Sequence, residues 1–169
     1  DSVYQLSPED TVIHIAVHLA VNHQFSLTAV RSLLDIALIT ACRSINWKLV
    51  VERTRQMRVR TAVWLVLNLL QQLIGTPGLE LPLRQLKPSR WRRQSIQQIV
   101  SPESVLLGAD LTHGHIRFIY LLLLVDRKRD MSHLVFRSLW PESDWLRARY
   151  GKPESRWNHL ARIIRSRQI

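Results

Sequence analysis

The sequence is poor in cysteine, glycine and lysine, and it lacks both long apolar runs and the short signatures of common catalytic sites. One cysteine, Cys42, among 169 residues excludes a disulfide framework within the chain and any multi-cysteine metal cluster, and favours a reducing, cytoplasmic setting. The longest apolar runs, Phe118 to Val125 and Ala62 to Leu67, fall far short of the roughly 20 residues that cross a bilayer, so no membrane span is expected. The first residues, from Asp1, lack the basic start, apolar stretch and small-residue cleavage site of a signal peptide; without an initiator Met, the expectation is a fragment of a longer chain. No P-loop, Gly-rich dinucleotide turn or Gly-x-Ser-x-Gly elbow occurs, and no Asp-x-Asp pair that would hold a metal for phosphoryl transfer. Cys42 sits near a helix C-terminus, where the negative end of the dipole disfavours a thiolate, so it is not read as a nucleophile.

What is present is apolar and helical. At 46% hydrophobic the chain can bury one core, and its apolar residues recur at helical spacing with no run of alternating strands. The expected fold is all-α, a compact multi-helix domain of about eight helices with no substantial sheet. Helices are predicted over about 8–22, 27–43, 47–51 and 59–74, the third capped by Asn46 and the fourth ended by Gly75. On the second, Val30, Leu33, Leu34, Ala37, Leu38 and Ala41 are the expected buried side. Later helices are expected at 116–125, 131–139, 142–150, closed by Gly151, and 154–167, with a restart near Ser101-Pro-Glu-Ser104. The domain expectation is one helical domain over 1–169, with possible layers 1–75 and 83–169 joined by the Gly/Pro loop Gly75 to Pro82.

The first helix carries the most specific pattern. Ser7 can cap it, Pro8 suits its first position, and Glu9 and Asp10 complement its positive end. His14, His18 and Asn22 are four apart and share one stripe amid Val12, Ile13, Ile15, Ala16, Val17, Leu19, Ala20 and Val21. A helix this apolar is expected to be buried, which would make the stripe a polar ladder in need of partners, with Arg31 and Asp35 on the next helix as candidates. Two imidazoles at i and i+4 can share a zinc ion, but position 15 is Ile where a zinc protease has Glu, and only His23, His113, His115 and Asp35 offer further ligands; no metal site is expected.

The net charge of +11 comes mainly from arginine, 20 of 24 basic residues, the better fork for phosphate. Arg84, Lys87, Arg90, Trp91, Arg92 and Arg93 mix cations with an aromatic ring, and with the Arg147 to Arg167 region they make a nucleic-acid-binding module an alternative reading; a scaffold for an acidic protein is another. Trp47, Trp64, Trp140, Trp145 and Trp157 are expected to pack within the core. Asp126 and Asp130, flanking Arg127 to Arg129, read as charge balance rather than a catalytic pair.

Three stretches together resemble the uncharacterised nucleotidyltransferase family of bacteria, in the helical part after its catalytic domain. They are Leu6-Ser-Pro-Glu-Asp10 with His14 and His18, Arg31-Ser-Leu-Leu-Asp-Ile36 with Asn46-Trp47, and Leu139-Trp-Pro-Glu-Ser143 continuing through Trp145 to Tyr150-Gly151. The resemblance implies a C-terminal helical portion that contacts substrate or is structural, inactive alone, with Mg2+ and a nucleoside triphosphate used by an N-terminal catalytic domain not contained in this sequence. It makes His14, His18, Arg31 and Asp35 candidates to orient acceptor or nucleotide or to lock helices, and Arg60 and Arg137 candidates to meet phosphate. The implied partners are that catalytic domain and a phosphate-bearing small molecule, with nucleic acid as the lesser alternative.

Overall fold

Ser7 starts the first helix as its composition predicts: its hydroxyl accepts from the Asp10 amide at 3.2 Å, and α1 runs Pro8–Val17 in the computed structural model. The structure describes residues 6–26, 29–108, 114–151 and 155–165, with side chains of 162–165 left aside. The expected helix start at Leu27, His113 and the outer ends of the last helix (154, 166–167) lie outside the described residues. After α1 come α2 (Ala29–Cys42), α3 (Trp47–Gln56), α4 (Arg60–Ile74), α5 (Glu80–Leu86), α6 (Arg90–Ile99), α7 (Pro102–Leu106), α8 (Gly114–Leu124), α9 (Lys128–Leu139), α10 (Ser143–Tyr150) and α11 (Arg156–Arg165). The described residues are all-α with no strand, and their helices outnumber the expected eight because α5, α6 and α7 form where the sequence signals only a basic stretch and one restart. The charged start of α9, Lys128 to Asp130, is helical as well, rather than a break before 131.

The chain divides into two units, residues 1–126 and 127–169. The division does not fall at the expected Gly75 to Pro82 loop, which is already helical from Glu80, because α5 packs back on both α3 and α4 and ties the two sides of the turn into one unit. Gly75 and Gly78 make the loop possible. Gly75 ends α4 in the left-handed conformation at φ 72°, and Gly78, beside the Trp47 ring, turns the chain at φ 80°, a backbone conformation that residues with a Cβ rarely adopt.

In the first unit α4 is the hub. Thr61 to Leu67, Leu69 and Leu70 are all buried, so it is apolar round most of its circumference and packs against α1, α2, α3, α5, α7 and α8. Around it Val12, Ile13, Ala16, Leu19, Leu33, Ile36, Val50, Leu86, Ile96 and Tyr120 close one continuous core.

Two long-range polar contacts close the termini of these helices. The helix begun by α1 widens into a π-helical turn over His18–His23 and ends with Gln24 left-handed (φ 48°). Carbonyls at a helix end lack intrahelical donors, and the buried Tyr120 hydroxyl donates to the Ala20 carbonyl at 2.7 Å. Burial pushes the Tyr120 hydroxyl far above the ordinary phenol range, so it stays protonated and a donor. At α4, Val59 has no capping side chain, and Asp126 supplies the cap from the other end of the unit. Its carboxylate accepts from the Arg60 amide at 2.6 Å, the Thr61 amide at 3.1 Å and the Thr61 hydroxyl at 2.6 Å.

The second unit is built of α9, α10 and α11 with a small interior of Pro141, Leu146 and His159. His159 accepts from the Tyr150 hydroxyl at Nδ1 (2.9 Å) and donates from Nε2 to the Ser138 carbonyl (3.1 Å), a hydrogen-bonded bridge between α9, α10 and α11. As expected, Gly151 closes α10 at φ 69°.

Burial corrects three expectations. On α2 the core side is Ala29, Leu33 and Ile36, while Val30, Leu34, Leu38 and Ala41 are exposed; the helix has more apolar positions than one stripe can bury, so spacing alone did not select the phase. Trp64 is buried and Trp47 half-buried, but Trp145 and Trp157 are 49% and 70% exposed, because a unit of 43 residues has too little interior for them. The histidine stripe is the third.

Candidate functional site

His14, His18 and Asn22 lie on the solvent side of the first helix, not within the core. Val12, Ile13, Ala16, Leu19 and Ala20 occupy the buried side, Ile15, Val17 and Val21 the margins. An apolar arc of roughly 100° satisfies a surface helix, so the polar stripe opposite it is free to face water. The rings are ordered by one another. His14 and His18 stack at 5.8 Å between centroids, 9° from parallel. The Asn22 side-chain amide donates to His18 Nδ1 at 2.7 Å, which leaves the proton of the neutral ring on Nε2.

The π-helical turn adds a third ring. Residues five apart come into line where the helix widens to i→i+5 bonding, and His23 meets His18 edge-on at 4.5 Å. A 3.6-residue period places His23 off the stripe, so spacing offers no signal for its membership. The result is two exposed imidazoles with a half-buried third beside them, able to donate to or accept from an anionic or hydroxyl-bearing ligand.

Arg31 and Asp35 are exposed on α2, and among the described residues no hydrogen bond or ion pair joins either to the histidine stripe. The expected helix-locking network is therefore not formed. The lock between helices lies instead at the start of α1. Glu9, buried, accepts from the Asn46 amide ahead of α3 at 3.0 Å; Asp10 pairs with Arg53 of α3 at 2.6 Å, and Arg53 donates to Ser7 Oγ at 3.0 Å. The Asn46 amide, then Glu9's own backbone amide, with smaller help from Ser7 and Arg53, hold the Glu9 carboxyl below its usual range against the opposing effect of burial. The sequence pattern placed Glu9 and Asp10 correctly at the positive helix end but gave no sign of these partners.

Arg60 is half-buried, and its backbone amide is held by Asp126. Arg137 is on α9 in the second unit, exposed and 2.7 Å from Glu142. Of the basic segment, Arg84, Lys87, Arg90 and Trp91 face solvent. Arg92 does not: it is buried, donates to the Val125 carbonyl at 2.9 Å and lies 4.0 Å from Asp126. Arg93 is half-buried, with a buried Nε that has no hydrogen-bond partner among the described residues. Arg92 thus belongs to the Asp126 cap, and Asp126, which the sequence pattern reads as charge balance, is a structural anchor. No spacing could reveal this, since the partners are 65 and 66 residues apart.

Among the described residues no group of three or more His, Cys, Asp or Glu side chains is arranged to hold a metal ion. Magnesium seeks carboxylate and phosphate oxygens, and the exposed face offers imidazole nitrogens, so the described donors do not fit it. His115 is exposed in the first turn of α8 and Cys42 at the end of α2. No helix among the described residues is long and apolar enough to cross a membrane.

Residues 1–75 match the family model described as an uncharacterised nucleotidyltransferase. The matched stretch ends at the Gly75 cap of α4 and so takes in α1 to α4. It includes His14, His18, His23, Arg31, Asp35 and Arg60, together with the Glu9–Asn46 and Asp10–Arg53 contacts; the basic segment and the second unit fall outside it. Neither a curated protein nor a solved structure matches the chain.

Proposed function

We propose that this chain is the helical, substrate-contacting part of a nucleotidyltransferase-like protein, and that nucleotidyl transfer itself belongs to a separate catalytic domain preceding it. One observation carries the reading: the stretch that matches the family presents His14 and His18 exposed and stacked on one another, with the half-buried His23 edge-on to His18. Exposed side chains of this kind add little to stability. Their alignment on one face is accounted for by contact with a ligand. In this reading His14 and His18 orient the acceptor or the nucleotide by hydrogen bonding, and Arg31 and Asp35 supply further charge from α2. The sequence has no Gly-Ser turn and no Asp-x-Asp pair, so magnesium and the reacting phosphates are assigned to the catalytic domain.

The test uses the purified 169-residue chain with each of the four common nucleoside triphosphates and magnesium. Nucleotidyl transfer is expected to be absent, while at least one triphosphate raises the melting temperature. The double variant His14→Ala/His18→Ala is expected to melt as the parent does without ligand and to lose the rise with it. Turnover by the chain alone, no rise with any triphosphate, or a rise kept by the double variant would each overturn the reading.

A further inference from the structure

The second unit carries a surface that the proposed function does not use. Residues 127–169 hold eleven Arg and Lys against four Asp and Glu, so a quarter of the chain bears +7 of its +11 charge. Nine of those eleven are Arg. On α9, Arg129 and Phe136 lie seven apart and share a face, with Arg137 next to Phe136, and Trp140, the residue that caps the helix end, hydrogen-bonds through its backbone amide to the Phe136 carbonyl. Phe136 is 62% exposed. Trp157 of α11, 70% exposed, stands perpendicular to Trp140 at 5.2 Å, and the Arg156 guanidinium lies 5.7 Å over the Trp140 ring. Exposed rings of this size are costly in water unless something covers them.

We propose that this face of α9 and α11 binds single-stranded nucleic acid. Guanidinium forks at Arg129, Arg137 and Arg156 match phosphates at geometry that lysine does not, and flat rings at Phe136 and Trp157 offer the stacking surface that unpaired bases seek. A duplex buries its base faces in its own stack, so the rings select the single strand. Charge selects a polyanion over an uncharged partner. The pair of Arg137 with Glu142, 59% and 71% exposed, is weak enough to yield to a phosphate. This inference stands apart from the ligand face of α1, since it uses other residues and another ligand.

Fluorescence anisotropy of the full chain with a labelled strand of about 12 uridine or thymidine nucleotides, within the usual site sizes for single strands, tests it. Affinity is expected to fall steeply with salt, and to be at least tenfold greater than for a duplex of equal length. Phe136→Ala and Trp157→Ala should each weaken binding about tenfold or more, with circular dichroism unchanged, whereas Trp157→Phe keeps most of it. Arg129→Gln with Arg156→Gln should lower the salt slope by about 1.4, roughly 0.7 for each phosphate that is no longer neutralised. Trp91→Ala, in the first unit, should leave affinity unchanged. The proposal is overturned if duplex binds as well as single strand, if removing the rings changes nothing, or if Trp91→Ala abolishes binding. It is also overturned if the chain ignores both strands and instead partitions onto anionic lipid vesicles, or buries the rings in a self-association detected by sedimentation.

Discussion

Replacing Asp126 by alanine should be among the most damaging single changes in the first unit, although Asp126 is neither large nor apolar. The carboxylate accepts three hydrogen bonds at 2.6, 3.1 and 2.6 Å from the start of α4, the helix round which the core is assembled. Loss of a helix cap costs about 1–2 kcal/mol. The Thr61 hydroxyl, on a fully buried residue, is left without its acceptor, which adds about 1–3 kcal/mol. Arg92 keeps the Val125 carbonyl but is deprived of its only nearby carboxylate among the described residues, so its buried charge is less well compensated. A total of about 4 kcal/mol follows, against a typical domain stability of about 5–15 kcal/mol. Urea unfolding followed by circular dichroism should therefore show the midpoint falling by about 2 M, for a slope of about 2 kcal/mol per molar. Asp126→Asn, which keeps one carbonyl acceptor, should fall between Asp126→Ala and the parent. Glu142→Gln, which removes an exposed ion pair of 2.7 Å, should change stability by less than about 0.5 kcal/mol. A deficit below about 1 kcal/mol for Asp126→Ala, or equal deficits for Asp126→Ala and Glu142→Gln, would refute the reasoning that burial and backbone capping decide the value.

Other outcomes follow from the same geometry. Tyr120→Phe keeps the ring but leaves the Ala20 carbonyl without its donor, and should cost about 1–3 kcal/mol in the same unfolding assay; a neutral result would mean water reaches that carbonyl. Glu9 is held below its ordinary range in the folded state, so its contribution is complete above the unfolded value of about 4.3 and is lost as pH falls through the folded value. Melting temperature against pH should accordingly decline less steeply below about pH 4.3 in Glu9→Gln than in the parent, and parallel curves would contradict the assignment. His159→Phe fills the space but removes both hydrogen bonds of the ring, and should loosen the second unit; near-ultraviolet dichroism of Trp140, Trp145 and Trp157 should weaken while the core tryptophan Trp64 is unaffected.

The helical character of this protein was written in its sequence, because caps and periodicity are local. Ser7 and Pro8, Asn46, Gly75 and Gly151 mark helix ends through bonds that span only a few residues, and each stands where local rules place it. The histidine stripe was equally legible, since a four-residue spacing fixes a common face whatever surrounds it. Which face points to solvent was not. On α1 and α2 apolar residues exceed what one side can bury, and only packing against one another and against α3, α4 and α7 chose the phase, exposing His14 and His18 and turning Leu34 and Leu38 outward. His23 joined the stripe only because the helix widened into a π turn. The partners of Glu9, Ala20, Asp126 and His159 were chosen by tertiary structure alone: a buried polar group must be satisfied by whatever donor or acceptor the fold brings within about 3 Å, and sequence distance carries no information about that.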